Sequence, residues 1–266
     1  MKSYFILITV MLTFLFGSCG LLSKKYTKTG KEIHTITAAG KKKIRIENVS
    51  GNINFVRSSD SSLITVKAVK EVQVKKKYLD TPFDELSLDI DTAGNEIVIK
   101  SDFGDKNRNS GFQFGFKIKT RIDYDIYVPE GIDISAENVN GNITAGNLSN
   151  SISAEVVNGD VDLKNYSGIV QCEITNGSFS GQIDSTNGIT VNIINGRITL
   201  HLNNFMNARV NAQTVNGKIN TEDLNFTSVT KEKKLLTGIL GQGEPKFDIR
   251  LETVNGKISL LGKLEI

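Results

Sequence analysis

Residues 152–161 read Ile152-Ser153-Ala154-Glu155-Val156-Val157-Asn158-Gly159-Asp160-Val161, and residues 170–179 read Val170-Gln171-Cys172-Glu173-Ile174-Thr175-Asn176-Gly177-Ser178-Phe179. The second block repeats the first after 18 residues. Asn-Gly recurs at Asn140-Gly141, Asn158-Gly159, Asn176-Gly177, Asn195-Gly196, Asn216-Gly217 and Asn255-Gly256, at intervals of 18, 18, 19, 21 and 39. The last interval reads as two repeats with one obscured, or as an insertion. A further pair, Asn187-Gly188, is off this register.

Aligning the copies on the asparagine extends the repeat beyond a dipeptide. Six positions before it stand Ile134, Ile152, Val170, Ile189, Val210 and Ile249; four before it stand Ala136, Ala154, Cys172, Val191, Ala212 and Leu251. Two before it the column is mixed, with Asn138, Val156, Ile174, Ile193, Thr214 and Thr253, and three after it stand Ile143, Val161, Phe179, Ile198, Ile219 and Ile258. Apolar residues with a period of two mark strands that bury one face. Asn-Gly suits the turn between them, since glycine lacks a Cβ and asparagine tolerates the left-handed region, so both residues can take positive φ at little cost. Ile44, Ile46, Asn48, Ile53 and Phe55 form an earlier copy around Ser50-Gly51.

Two all-β architectures produce such a pattern. In an antiparallel meander or sandwich each Asn-Gly closes a hairpin. In a β-solenoid with coils of about 18–21 residues it marks one corner and stacks on its equivalents, each coil rising about 4.8 Å. The solenoid is the expectation, because stacking like on like explains columns that keep one residue type. The stacked asparagines are then structural, their amides forming a ladder along the axis. Residues 35–129 form a less regular β region with the first coils, and residues 130–266 the regular repeats. Two segments break the pattern, a loop from Asp102 to Phe116 and an excursion from Thr230 to Lys246. Loops on a rigid scaffold are where binding residues gather, so both are candidate functional loops.

The segments Val49-Ser50-Gly51-Asn52-Ile53 and Val139-Asn140-Gly141-Asn142-Ile143, the lead-in Val128-Pro129-Glu130-Gly131 and the later Val-Asn-Gly-Lys-Ile copies resemble a bacterial family. It is the "putative adhesin" family of extracytoplasmic β-strand-repeat domains, whose function is largely unassigned. The likeness runs from about Thr35 to the C-terminus. It implies the fold and an adhesive role, through motifs made of turn and core residues.

The N-terminus carries an address. Met1-Lys2 precedes an apolar run from Tyr4 to Phe16, followed by Gly17-Ser18-Cys19. This is the charged start, short apolar core and small-residue exit of a secretion signal, too short for a membrane span of about 20 residues. The residues before Cys19 resemble a lipobox, with Phe16 where leucine is commonest, which implies cleavage after residue 18 and lipid attachment at Cys19. Residues 19–34 then read as a lipidated tether. The partners expected are a membrane, reached through that lipid, and an envelope protein or glycan. The location expected is the cell envelope, facing the periplasm or the cell surface. After Cys19 only Cys172 remains, so no intramolecular disulfide is expected.

Composition narrows the function. The chain has 32 basic and 29 acidic residues, a net charge of +3, and no one-sided basic patch that would announce nucleic-acid binding. His34 and His201 are the only histidines, without the clustered ligands of a zinc site, so no metal or cofactor is expected. Cys172 falls in a small apolar column and reads as core. Asp160 with Asp162, and Asp123 with Asp125, share a strand face and read as solvated. No catalytic residue is therefore assigned. The reading is a non-enzymatic envelope lipoprotein for adhesion or scaffolding. The alternatives are a carbohydrate-active enzyme built on a β-helix, with acids contributed from different coils, and a structural element that polymerises through open coil edges. The strand-like Ile258-Ser259-Leu260-Leu261 bears on the last of these.

Overall fold

The computed structural model describes residues 8–10, 16–17, 25–75, 86–102 and 119–262. Cys19, most of the expected leader and all of the expected loop but Asp102 lie outside them. The described residues form 21 strands of one mixed sheet and no helix.

The repeats fold as two parallel walls. One wall stacks β4 (Lys43–Ser50), β10 (Asp133–Asn140), β12 (Ile152–Asn158), β14 (Val170–Asn176) and β16 (Ile189–Asn195). The other stacks β5 (Ile53–Arg57), β11 (Ile143–Gly146), β13 (Val161–Ser167), β15 (Phe179–Ser185) and β17 (Ile198–Leu202). Equivalent residues pair: Ile134 with Ile152, Ile152 with Val170, Val170 with Ile189. The strands flanking each of these Asn-Gly steps pair with the neighbouring repeats and not with each other, so these turns do not close hairpins. Alternation does the rest. In β12, Ile152, Ala154 and Val156 are buried between the walls, while Glu155 and Val157 face outward. Full burial of a side chain the size of Ile152 or Val156 contributes roughly 1.5–3 kcal/mol.

Only one residue of each corner uses the positive φ open to both. Gly51, Gly141, Gly159, Gly177 and Gly196 take positive φ, but none of the asparagines before them does. The reason is that each asparagine is still pairing as the last residue of its strand, while the glycine alone makes the bend. Close approach also excludes a side chain there, since a Cβ on Gly177 would stand 1.8 Å from the carbonyl oxygen of Gly159.

Spatial order departs from chain order at both ends. β21 (Phe247–Gly262), the last strand, lies between β16 and β18 (Ala208–Glu222), with Asn255 opposite both Asn195 and Asn216. Likewise β4 and β5, the earliest repeat, lie inside β8 (Glu96–Asp102) and β9 (Lys119–Val128), with Ile44 opposite Ile97 and Ile53 opposite Tyr124. Ile258–Leu261 is therefore not an open edge, being paired with β17 on one side and β18 on the other.

Antiparallel strands cover the outer repeats. About half of the expected excursion from Thr230 to Lys246 is strand: β19 (Phe226–Lys231) and β20 (Leu235–Leu240) form a hairpin laid on β18. The interval of 39 is thus an insertion. At the other end β3 (Lys25–Thr37) pairs along its whole length with β6 (Leu63–Lys75), which pairs with β9. Residues 25–34, expected in the tether, are accordingly in the sheet, held by a continuous ladder of backbone hydrogen bonds. Two short strands, β1 (Ile8–Val10) and β2 (Phe16–Gly17), also pair with β3, and β7 (Ser87–Asp91) pairs with β8.

Candidate binding groove

The outward positions of the first wall fall into rows, because parallel strands in register set equivalent side chains about 4.8 Å apart. Three residues before each corner asparagine the row contains Glu47, Glu137, Glu155, Glu173, Asn192, Glu252 and Gln213, in spatial order. One residue before it the row contains Val49, Val139, Val157, Thr175, Ile194, Val254 and Val215. The two rows line a groove of about 680 Å³ that runs along the wall.

Both rows are unusual for a surface. The valine and isoleucine row is 39–51% exposed and supplies six of the ten exposed large hydrophobic residues described, so it is a continuous feature and not scattered surface apolarity. In the acidic row, Glu47 pairs with Lys100 at 3.0 Å and Arg45 at 3.4 Å. Glu137, Glu155, Glu173 and Glu252 have no ion pair among the described residues. Neighbouring like charges at this spacing repel. Beneath the groove, on the inward face of the wall, lies one unmatched acceptor. Asn138, 2% exposed, donates to Gly51 O at 2.8 Å, but its Oδ1 has no partner. In the adjacent coil Asn48 Oδ1 accepts from Ser101 Oγ at 2.7 Å.

The corner asparagines border this groove. Asn158 Nδ2 donates to Asn140 Oδ1 at 3.1 Å, Asn176 to Asn158 at 3.0 Å and Asn195 to Asn176 at 2.9 Å. The ladder continues through Asn255, which donates to Asn195 at 2.8 Å, to Asn216, which donates to Asn255 at 2.9 Å. Gly141, Gly159, Gly177 and Gly196 each donate a backbone N–H to the asparagine carbonyl of the adjacent repeat at 3.0 Å. Gly256 and Gly217 complete the stack, where an added Cβ would meet the carbonyls of Gly196 and Gly256 at 1.5 and 1.7 Å.

Several solved structures align with most of this chain at low identity. One is a "putative cell adhesion protein" from Clostridium sporogenes ATCC 15579, 13% identical, covering 89% of this chain and 100% of its own, with a TM-score of 0.47. Another is a "putative adhesin" (BF0245) from Bacteroides fragilis NCTC 9343, 14% identical, covering 88% and 97%, with a TM-score of 0.32. No family model and no curated protein matches the chain.

The other sequence candidates do not converge. Asp160 Oδ1 accepts the backbone N–H of Ser178, and Asp162 pairs with Lys164. Asp123 pairs with Arg121 and accepts from the N–H of Asn52, while Asp125 accepts from Asn54 Nδ2. Asp160, Asp123 and Asp125 thus tie neighbouring strands together, whereas Asp162 pairs within its own strand. Cys172 is buried, and burial pushes its thiol well above the ordinary range. His201 lies on β17 opposite Gln182 and Leu261. His34 is buried at the far end of the sheet, 3.3 Å from Glu32, and no group of three or more His, Cys, Asp or Glu among the described residues is arranged to hold a metal ion. Burial pushes the Tyr124 hydroxyl up to about 12.

Sequence reading missed the groove itself. Its signal was present in the same alignment, one and three positions before the asparagine, but inward columns drew attention because they define the strands. That the outward valines lie beside unpaired glutamates follows only from the pairing.

Proposed function

We propose that this chain is a non-enzymatic envelope lipoprotein, anchored through Cys19 after removal of residues 1–18, whose β-solenoid presents a rigid face for adhesion or for scaffolding other envelope components. The in-register walls support the solenoid, because they hold seven coils' worth of outward side chains in fixed rows. That is a preorganised surface, which avoids much of the ordering cost of binding. The observation that carries the binding reading is the long groove with its exposed apolar row. A solvated wall with no binding task would be expected to carry polar side chains at those outward positions.

Intact mass and membrane fractionation of the native protein beside Cys19→Ala test the anchor. A lipid adduct on Cys19, lost together with membrane association in the variant, is the expected result. Attachment of cells carrying the protein to immobilised envelope and host components, against cells lacking it, tests adhesion. Turnover of a glycan by the purified protein would overturn the non-enzymatic reading.

A further inference from the structure

The groove restricts the chemistry of what it holds. We infer that it takes a cationic amphipathic polypeptide segment, with lysine or arginine side chains on the glutamate row and apolar side chains on the valine row. The inference rests on the binding function proposed above and identifies its partner class.

Three observations point the same way. The first is charge. Glu137, Glu155 and Glu173 form consecutive rungs without counter-ions among the described residues, in a chain whose net charge is +3. The row is therefore a local arrangement and not a reflection of acidic composition. Its repulsion is relieved by cations spaced along the groove, and opposite charge raises both specificity and association rate. The second is a precedent within the molecule. Lys100, on the strand next to β4, extends the row and already seats its ammonium on Glu47 at 3.0 Å. A foreign lysine on the next rungs repeats that contact. The third is the apolar row two residues along the same strands, about 7 Å away, a distance one amphipathic segment spans. A simple cation leaves the valines wet, and an uncharged apolar segment leaves the glutamates unpaired. An anionic lipid surface or a nucleic acid is disfavoured by the same carboxylates.

The test uses the full chain in detergent and a fluorescent synthetic peptide of leucine and lysine patterned as an amphipathic helix, read by anisotropy. Its companions are the same peptide with glutamate for lysine, oligolysine, and phosphatidylglycerol vesicles. Saturable binding of the leucine–lysine peptide is expected, with the glutamate peptide and the vesicles not binding and oligolysine binding at least tenfold more weakly, about 1.4 kcal/mol. Reversing Glu137, Glu155 and Glu173 to lysine weakens it by about tenfold or more, whereas Asp162→Lys, Glu232→Lys and Glu244→Lys, the same charge change elsewhere, leave it within about twofold. Val139→Asn with Val157→Asn weakens it and does so at high salt as well, where the charge contribution is screened. All these substitutions are at surface positions, and thermal unfolding verifies that each variant is folded. Binding that is absent, equally sensitive to both charge-reversal sets, or shared by the glutamate peptide or the vesicles overturns the inference. Cell attachment that persists in the groove variants overturns it too while leaving adhesion standing. Loss of adhesion as a function would show instead as no attachment by the native protein.

Discussion

Asn255 donates its side-chain amide to Asn195 Oδ1 at 2.8 Å, spanning 60 residues of chain, although Asn216 comes between them in sequence. The C-terminal strand is therefore an inner layer of the stack and not its end.

Removing residues 247–262 is predicted to abolish cooperative folding. Ile249, Leu251, Ile258 and Leu260 are fully buried, and losing each such side chain costs roughly 2–5 kcal/mol, together about 8–20 kcal/mol, as large as the typical 5–15 kcal/mol of a whole domain. In a repeat protein each unit contacts only its neighbours, so loss of an end unit leaves the remaining interfaces in place. Here the trimmed unit lies inside. Urea unfolding followed by circular dichroism checks this, and a truncated chain with a sharp native-like transition would sink the idea.

Gly177→Ala is predicted to cost about 3 kcal/mol, at the upper end of overpacking effects. Its φ is 151° and the new methyl group would lie 1.8 Å from Gly159 O, so two neighbouring repeats must separate. Gly40→Ala provides the contrast, because no atom lies within 4 Å of its Cβ position and only the backbone strain of its φ of 77° remains. Denaturant midpoints of the two variants should differ by roughly 2 kcal/mol in stability.

Asn176→Ala should cost only about 1 kcal/mol, the net value of an exposed hydrogen bond. Asn176 is solvent-exposed, and its neighbours Asn158 and Asn195 regain water when it is removed. A thermal shift as large as that of Gly177→Ala would show that the amide ladder is more cooperative than the sum of its rungs.

Acid should weaken the N-terminal end of the sheet. Hydrogen bonding with His34, and then with the nearly buried Lys70 at 2.5 Å, holds the Glu32 carboxyl below the ordinary range despite partial burial. A folded pKa below the unfolded one gives stability that is present above the unfolded value, about 4.3, and is lost as pH falls through the folded value. Glu32→Gln is expected to flatten that acid limb. At neutral pH it should destabilise by about 3 kcal/mol, because it leaves Lys70 as a buried cation without its carboxylate. Stability against pH for the two proteins measures both effects.

Cys172 should be inert toward thiol reagents in the folded chain and react on unfolding. It is 2% exposed and its thiol is pushed up by burial, so thiolate and access are both withheld. A chromogenic disulfide reagent added with and without denaturant separates the two states; rapid labelling in native buffer would contradict the burial.

Much of this was legible along the chain. The alternating apolar columns at Ile134, Ile152, Val170 and Ile189 determine all-β structure locally, because a strand's inward face depends only on which alternate residues avoid water. The glycine of each Asn-Gly step announces a bend that other residues resist. What sequence alone did not decide is which strand lies beside which. Repeats with the same columns can be stacked in any order that matches register, so Asn255 between Asn195 and Asn216, and β4 inside β8, come from the way the chain returns on itself at both ends. Outward residues such as Glu155 and Val157 carry no folding signal, and only the parallel pairing turns them into rows. Burial is a property each residue declares through its own chemistry; adjacency is a property of the whole chain, and here adjacency made the groove.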